Sequence, residues 1–215
     1  MIKIIKFIEL LILGIVFPSS IVFFNLSEYI LIFLWIVFFY TTMIYLLVYK
    51  KKIEIRKFLK VNFNKNKDYL IFITLRWLIA SILLFFITQF FFPEKLFIIQ
   101  KNSENILWKI FLIYPILSAF PQEFIFCTFF FLRYFSILGN YRKLILMSAI
   151  IFCFAHIFSV NFVAPILSIF GGYFFAKTYQ RTNSLLIVTL EHSLYGNTLF
   201  FIGIGWFFWG GSVGS

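Results

Sequence analysis

About seven apolar runs of roughly 20 residues follow one another along the chain, with few charges inside them. A helix of this length crosses the hydrocarbon core of a bilayer, whereas a membrane β-barrel would show short segments of alternating polarity. Hydrophobic residues make up 62% of the chain and charged residues 13%, which excludes a water-soluble globular domain. We therefore predict an all-α polytopic transmembrane bundle. Its predicted spans are residues 7–26, 29–49, 69–92, 106–131, 144–159, 162–179 and 184–208.

The basic residues indicate how the bundle is oriented. Residues 50–68 carry eight Lys and Arg against two acidic residues, and short loops of this charge lie on the cytoplasmic side. We predict an integral protein of the cytoplasmic membrane with a cytoplasmic N-terminus. The net charge of +11 is expected to face anionic lipid of the bilayer rather than nucleic acid, because the charges flank apolar runs.

Five ionisable side chains fall inside the predicted spans. Such groups cost free energy at membrane depth and by default mark a functional site, whereas Glu9 and Lys109 lie near span ends and can extend to the interface. The five are Arg76, Glu123, His156, Glu191 and His192. Beside His192, Glu191 can tune the imidazole or face Lys177 or Arg181.

Three of these side chains share one depth on three different spans. Glu123, His156 and His192 lie roughly 15, 18 and 12 Å above the cytoplasmic ends of their helices, at 1.5 Å per residue. A carboxylate and two imidazoles in one layer can activate water, bind zinc, or only join helices by hydrogen bonds. Pro121, which removes a helix hydrogen bond, is expected to distort the helix beside Glu123.

Three short segments resemble the motifs of the CAAX protease and bacteriocin-processing family, whose members include the type II CAAX prenyl endopeptidases. The segments are residues 122–127 (QEFIFC), 152–156 (FCFAH) and 192–197 (HSLYGN). The family pattern is Glu-Glu-x-x-x-Arg, Phe-x-x-x-His and His-x-x-x-Asn on successive membrane helices. The resemblance covers residues 117–197. It implies N-terminal spans with a basic loop over residues 1–105 and an intramembrane protease domain over residues 106–209.

The resemblance also implies the chemistry. It implies that the catalytic residues are Glu123, His156, His192 and Asn197. It also implies that the substrate is a membrane-associated or prenylated peptide. The resemblance leaves both a glutamic and a metallo-type mechanism open. No cofactor is favoured, and zinc is the alternative because two His and one Glu form an acceptable catalytic zinc set.

The chain departs from the family pattern at three positions. Gln122 replaces the first Glu of the first motif, and an amide cannot take a proton from water. Cys127 replaces the Arg. Asn197 follows His192 by five residues instead of four, with Gly196 at the family position, and Tyr195 shares a face with His192 as an alternative hydrogen-bond donor.

Three functions are compatible with these features. The leading one is an intramembrane endopeptidase in which Glu123 activates water with the help of His156 and His192. The second is a catalytically inactive family member that acts as a bacteriocin immunity or membrane binding protein, as Gln122 and Cys127 favour. The third is a proton-coupled transporter that uses Glu123, Glu191 and the histidines as a relay.

Overall fold

The computed structural model describes residues 2–49, 56–102 and 104–209, and only the backbone of residues 56, 57, 63–65, 104 and 105. Within these ranges the chain forms helices and no β-strand. Residues 50–52, which belong to the predicted basic loop, lie outside the described residues.

The described part of the chain contains seven long helices. Six of them are long and apolar enough to cross a membrane, and the predicted all-α bundle is thereby confirmed. The exception, α6, carries Lys177, Gln180 and Arg181 in its last two turns. The helices are α1 (Ile2–Phe23), α2 (Ser27–Tyr49), α3 (Asn66–Phe91), α4 (Ile106–Leu138), α5 (Tyr141–Ser159), α6 (Val163–Thr182) and α7 (Leu185–Ile202).

Tight turns join α4 to α5 and α6 to α7. Gly139 and Asn183 end the preceding helices with positive φ angles of 78° and 51°, a conformation that Gly and Asn adopt at low cost. Asn140 and Ser184 then cap the following helices through their side-chain oxygens. Both pairs are therefore antiparallel neighbours, with α6 packed between α5 and α7.

Helix α4 is irregular on both sides of Glu123. π-helical turns run over Pro115–Ala119 and Phe124–Phe129, and the short α-helical stretch Phe120–Glu123 lies between them. Wide turns of this kind are common where a helix carries a functional side chain. The expected distortion beside Glu123 is present, and it is spread over two turns rather than concentrated at Pro121.

Buried ion pairs connect distant helices at two places. Glu9 is only 8% exposed and accepts from Arg133, whose Nε lies 3.1 Å from Oε2 of Glu9. The extension of Glu9 to the interface stays a prediction, and the structure adds Arg133 as its charge partner within the bundle. In the second pair, Glu191 of α7 accepts from the guanidinium of Arg76 of α3.

Candidate active site

Glu123 and His192 form a buried hydrogen-bonded pair between α4 and α7. Oε1 of Glu123 lies 2.7 Å from Nδ1 of His192, and the thiol of Cys127 donates to Oε2 over 3.1 Å. Glu123 is completely buried. An ionised carboxylate only accepts hydrogen bonds, so Nδ1 of His192 carries the hydrogen in this arrangement.

The other ring nitrogen of His192 faces Tyr114. Nε2 lies 2.9 Å from the Tyr114 hydroxyl oxygen; with the hydrogen of the neutral ring on Nδ1, Nε2 accepts and Tyr114 donates. The imidazole stacks on the ring of Phe175, with the centroids 4.5 Å apart and the planes 17° apart. The orientation of His192 is therefore set by hydrogen bonds at both nitrogens and by packing on one face.

His156 is held in a different way. Its Nδ1 donates to the backbone carbonyl of Phe152 over 2.7 Å. In the neutral ring Nε2 is then an acceptor. The ring of Phe152 contacts both imidazoles, with centroid distances of 4.6 Å to His156 and 5.7 Å to His192. The predicted Glu123, His156 and His192 thus come together on α4, α5 and α7.

A cavity of about 1030 Å³ opens beside this group, with walls contributed by all seven long helices. Its surface is almost entirely apolar. Glu123 does not line the cavity, so His192 stands between the carboxylate and the open space. The few polar side chains at the wall include Arg76, Tyr114, Gln122, His156, His192 and Tyr195.

Gln122 occupies the cavity-facing position of the first motif. Its Nε2 donates to the hydroxyl of Ser118 over 2.8 Å, whereas its Oε1 is buried without a hydrogen-bond partner among the described residues. Consecutive helical residues point about 100° apart. The position that holds a carboxylate in the family pattern therefore holds an amide at the cavity wall, and Glu123 lies behind it.

Asn197 lies on α7 apart from the paired groups. The helix is regular from Leu185 to Ile202, so a five-residue step rotates Asn197 about 140° from His192. Its Oδ1 is buried without a hydrogen-bond partner among the described residues. Tyr195 lines the cavity, with its ring 5.9 Å from that of Phe175. The oxyanion roles predicted for Asn197 and Tyr195 stay predictions.

The arrangement does not present a ready set of zinc ligands. No group of three or more His, Cys, Asp or Glu suited to a metal ion occurs within residues 2–49, 56–102 and 104–209. Both ring nitrogens of His192 and Nδ1 of His156 are engaged by protein groups. A zinc ion would have to displace the Glu123 or Tyr114 contact to reach His192.

Glu191 and Arg76 belong to a neighbouring pair rather than to the Glu123–His192 pair. Arg76 also donates to the hydroxyl of Thr178 over 3.3 Å and packs over the ring of Phe174 at 4.4 Å. From the sequence, two alternatives were open for Glu191: it tunes the imidazole of His192, or it faces Lys177 or Arg181. The structure pairs it with Arg76 of α3, a partner that hydropathy could not indicate.

The fold and these contacts define a polytopic membrane protein with a buried carboxylate–imidazole pair at the wall of an intramembrane cavity. Residues 104–198 match the family model described as Type II CAAX prenyl endopeptidase Rce1-like, and this match confirms the resemblance that the three motifs indicated. The matched segment contains Glu123, His156, His192 and Asn197. The comparison with curated proteins gives no match, and the comparison with solved structures gives none either.

Tyr114 is the site residue that sequence reasoning missed. It precedes Glu123 by nine residues, or about two and a half turns of a regular α-helix, which would place the two on opposite faces. The π-helical turn Pro115–Ala119 lies between them and changes this relation. Pro115, directly after Tyr114, is a second local signal of an irregular helix beside Pro121.

Proposed function

We propose that the protein is an intramembrane endopeptidase that hydrolyses a peptide bond of a membrane-associated or prenylated peptide. The observation that carries the proposal is the hydrogen-bonded Glu123–His192 pair, with His192 at the wall of an apolar cavity. The family match supports a protease as the class of protein. The cavity suits a peptide that reaches the site from the bilayer, because its walls are apolar.

In the proposed reaction His192 is the general base, and Glu123 is a positioning residue that acts through it. The sequence pattern favoured direct activation of water by Glu123, but a carboxylate that does not line the cavity cannot contact water there. Glu123 instead holds the Nδ1–H tautomer of His192 and stabilises the imidazolium that forms. His192 takes a proton as water attacks the carbonyl carbon, and returns it to the leaving nitrogen when the C–N bond breaks.

His156 supplies the second imidazole of the proposed site. Its Nδ1 is tied to the Phe152 carbonyl, so its Nε2 can accept a hydrogen bond from the attacking water and orient it. Of the two predicted oxyanion donors, Tyr195 lines the cavity and Asn197 does not, so Tyr195 is proposed to donate to the oxyanion. The scheme uses no metal step, in line with the engagement of the ring nitrogens by protein groups.

The test is cleavage of a fluorogenic farnesylated peptide by the purified protein in proteoliposomes, with the product identified by mass spectrometry. We expect turnover by the wild type and a loss of about 10²-fold or more in His192→Gln and His156→Gln, the usual scale for a general acid–base group. Ser136→Ala is the control, because Ser136 accepts from Lys6 away from the cavity wall. Equal turnover in all four proteins would refute the proposed roles.

Gln122 favours a second candidate, a membrane protein that binds but does not cut. It places an amide at the cavity wall, where it cannot take a proton from water. The change Gln122→Glu separates the two functions. If the protein is a binder that lost its base, this change raises turnover from near zero; if it is an active peptidase, turnover stays the same and Glu123→Ala abolishes it.

A further inference from the structure

Tyr114 has no counterpart in the three motifs, yet it contacts His192 directly. Its hydroxyl occupies the hydrogen-bonding position at Nε2 of His192, the nitrogen through which the proposed base would accept a proton. Tyr114 also lines the cavity. Water in the cavity therefore meets the phenol oxygen on its way to Nε2.

The hydrogen-bond directions along this group are consistent from end to end. Both Glu123 oxygens accept, one from the Cys127 thiol and one from Nδ1–H of His192. Nε2 of His192 then accepts from the Tyr114 hydroxyl. The phenol oxygen keeps lone pairs that can accept a hydrogen bond from a molecule in the cavity.

Gly196 provides the space that Tyr114 needs. A Cβ atom at this position would lie 2.2 Å from the Tyr114 ring. Gly196 is four residues after His192, where the family pattern has Asn. The small residue removes a polar side chain from the position and admits a phenol ring whose hydroxyl reaches the same histidine.

We propose that Tyr114 is a catalytic residue that relays the proton from water to His192. This inference rests on the proposed peptidase function. In one step a water O–H bond breaks and its proton passes to the phenol oxygen, while the phenol proton passes to Nε2 of His192. The hydroxide oxygen bonds to the carbonyl carbon as the C=O π bond breaks, and its electron pair moves to the carbonyl oxygen, which becomes the oxyanion. The tyrosine is neutral before and after the step, and the added proton resides on His192, balanced by Glu123.

The first experiment compares Tyr114→Phe with Tyr69→Phe in the proteoliposome assay. Both changes remove a hydrogen-bonded tyrosine hydroxyl, but that of Tyr69 lies 3.3 Å from the hydroxyl of Thr178, and Tyr69 does not line the cavity. For Tyr114→Phe we expect kcat to fall about 10²-fold or more while KM changes less than about threefold. For Tyr69→Phe we expect kcat close to that of the wild type.

The second experiment does not depend on turnover. The chain has only two histidines, so ¹⁵N-histidine labelling reports on His156 and His192 alone. Loss of the Tyr114 hydroxyl should shift the Nε2 resonance of His192 and leave that of His156 in place. This shift reports the hydrogen bond on which the relay depends. A Tyr114 that only packs on Gly196 and on the ring of Phe200 at 5.6 Å, without a hydrogen bond to Nε2, would leave both resonances unchanged and would overturn the relay.

The outcomes separate the relay from the peptidase function itself. If His192→Gln abolishes turnover while Tyr114→Phe retains it within about threefold, the relay is wrong and the peptidase proposal stands. If the wild type cleaves no peptide, the peptidase proposal fails and the relay falls with it. Equal losses of kcat in Tyr114→Phe and Tyr69→Phe would also overturn the relay, because they would report a general structural effect.

Discussion

Oε1 of Glu123 lies 2.7 Å from Nδ1 of His192, although 69 residues separate them along the chain. The contact joins α4 to α7 and fixes the tautomer of the imidazole at the cavity wall. It also leaves the carboxylate without access to the cavity. Glu123 is thus expected to work through His192 and not on water directly.

Replacing Glu123 by Gln tests this division of roles. The amide oxygen can still accept from Nδ1–H, so we expect the protein to remain folded, but the negative charge that balances an imidazolium is lost. Peptide turnover should fall about 10²-fold or more. Glu28→Gln is the matched control, because Glu28 is exposed. Turnover within about threefold of the wild type would contradict a role for the charge.

A methyl group at Gly196 should displace the Tyr114 ring. The close contact in Gly196→Ala involves the far end of the ring, so we expect the ring to move and the His192 hydrogen bond to lengthen. Activity should fall as it does in Tyr114→Phe, and the double variant Tyr114→Phe/Gly196→Ala should lose no more activity than either single variant. The double change Tyr114→Ala/Gly196→Asn restores the Asn of the third family motif. It should recover part of the activity that is lost in Tyr114→Phe. Independent, additive losses for Gly196→Ala and Tyr114→Phe would exclude the coupling.

Breaking the Arg76–Glu191 pair on one side should cost more stability than replacing both residues. Glu191→Leu leaves the guanidinium of Arg76 without its carboxylate partner in a largely buried place, at a cost of about 3–5 kcal/mol. In Arg76→Leu/Glu191→Leu no unpaired charge remains, and we expect most of this stability to return. Thermal unfolding in detergent compares the wild type with the two variants. A double variant less stable than Glu191→Leu would contradict this account.

Arg133 should not be replaceable by Lys. Its Nε and Nη2 atoms both donate to Glu9, a planar geometry that an ammonium group cannot reproduce. We expect Arg133→Lys to lower the free energy of unfolding by about 1–3 kcal/mol, the range for a hydrogen bond to a charged group. Arg142→Lys, at an exposed position, is the control. Equal unfolding temperatures for Arg133→Lys and the wild type would show that one charged hydrogen bond to Glu9 is sufficient for stability.

The predicted orientation can be measured with reporter fusions. Seven crossings from a cytoplasmic N-terminus place the C-terminal end outside, so alkaline phosphatase joined after Trp209 should be active. The same reporter joined after Asn140, in the turn between α4 and α5, should be inactive. The reverse pattern would overturn the orientation, and activity at both places would indicate an even number of crossings between them.

The apolar runs predicted the class of fold and the approximate positions of the helices. Burial in a bilayer requires every backbone group to be satisfied within a span, so length and hydropathy are sufficient for this level of structure. Helix ends moved by several residues, as where α4 continues to Leu138. These shifts arise because a cap such as Gly139, the C-cap of α4, ends a helix more sharply than a change in hydropathy does.

The motif spacing predicted that Glu123, His156 and His192 lie together, and in the structure they lie on three helices around one site. What the spacing could not decide is which way neighbouring side chains point. Gln122 and Glu123 differ by one residue, and only the rotation of α4 determines that the amide lines the cavity while the carboxylate binds His192. Both residues lie between the π-helical turns Pro115–Ala119 and Phe124–Phe129, which change the rotation of α4 from that of a regular helix.

Hydropathy and charge are properties of local stretches, so the sequence by itself determined a basic, multi-span helical membrane protein and the residue types of its site. The partners of those residues depend on contacts between helices far apart in the chain. Tyr114 reaches His192, Arg76 reaches Glu191 and Arg133 reaches Glu9 only because helix rotation and packing bring them together. Tertiary structure alone decided these pairs, since no local pattern encodes the angle at which one helix faces another.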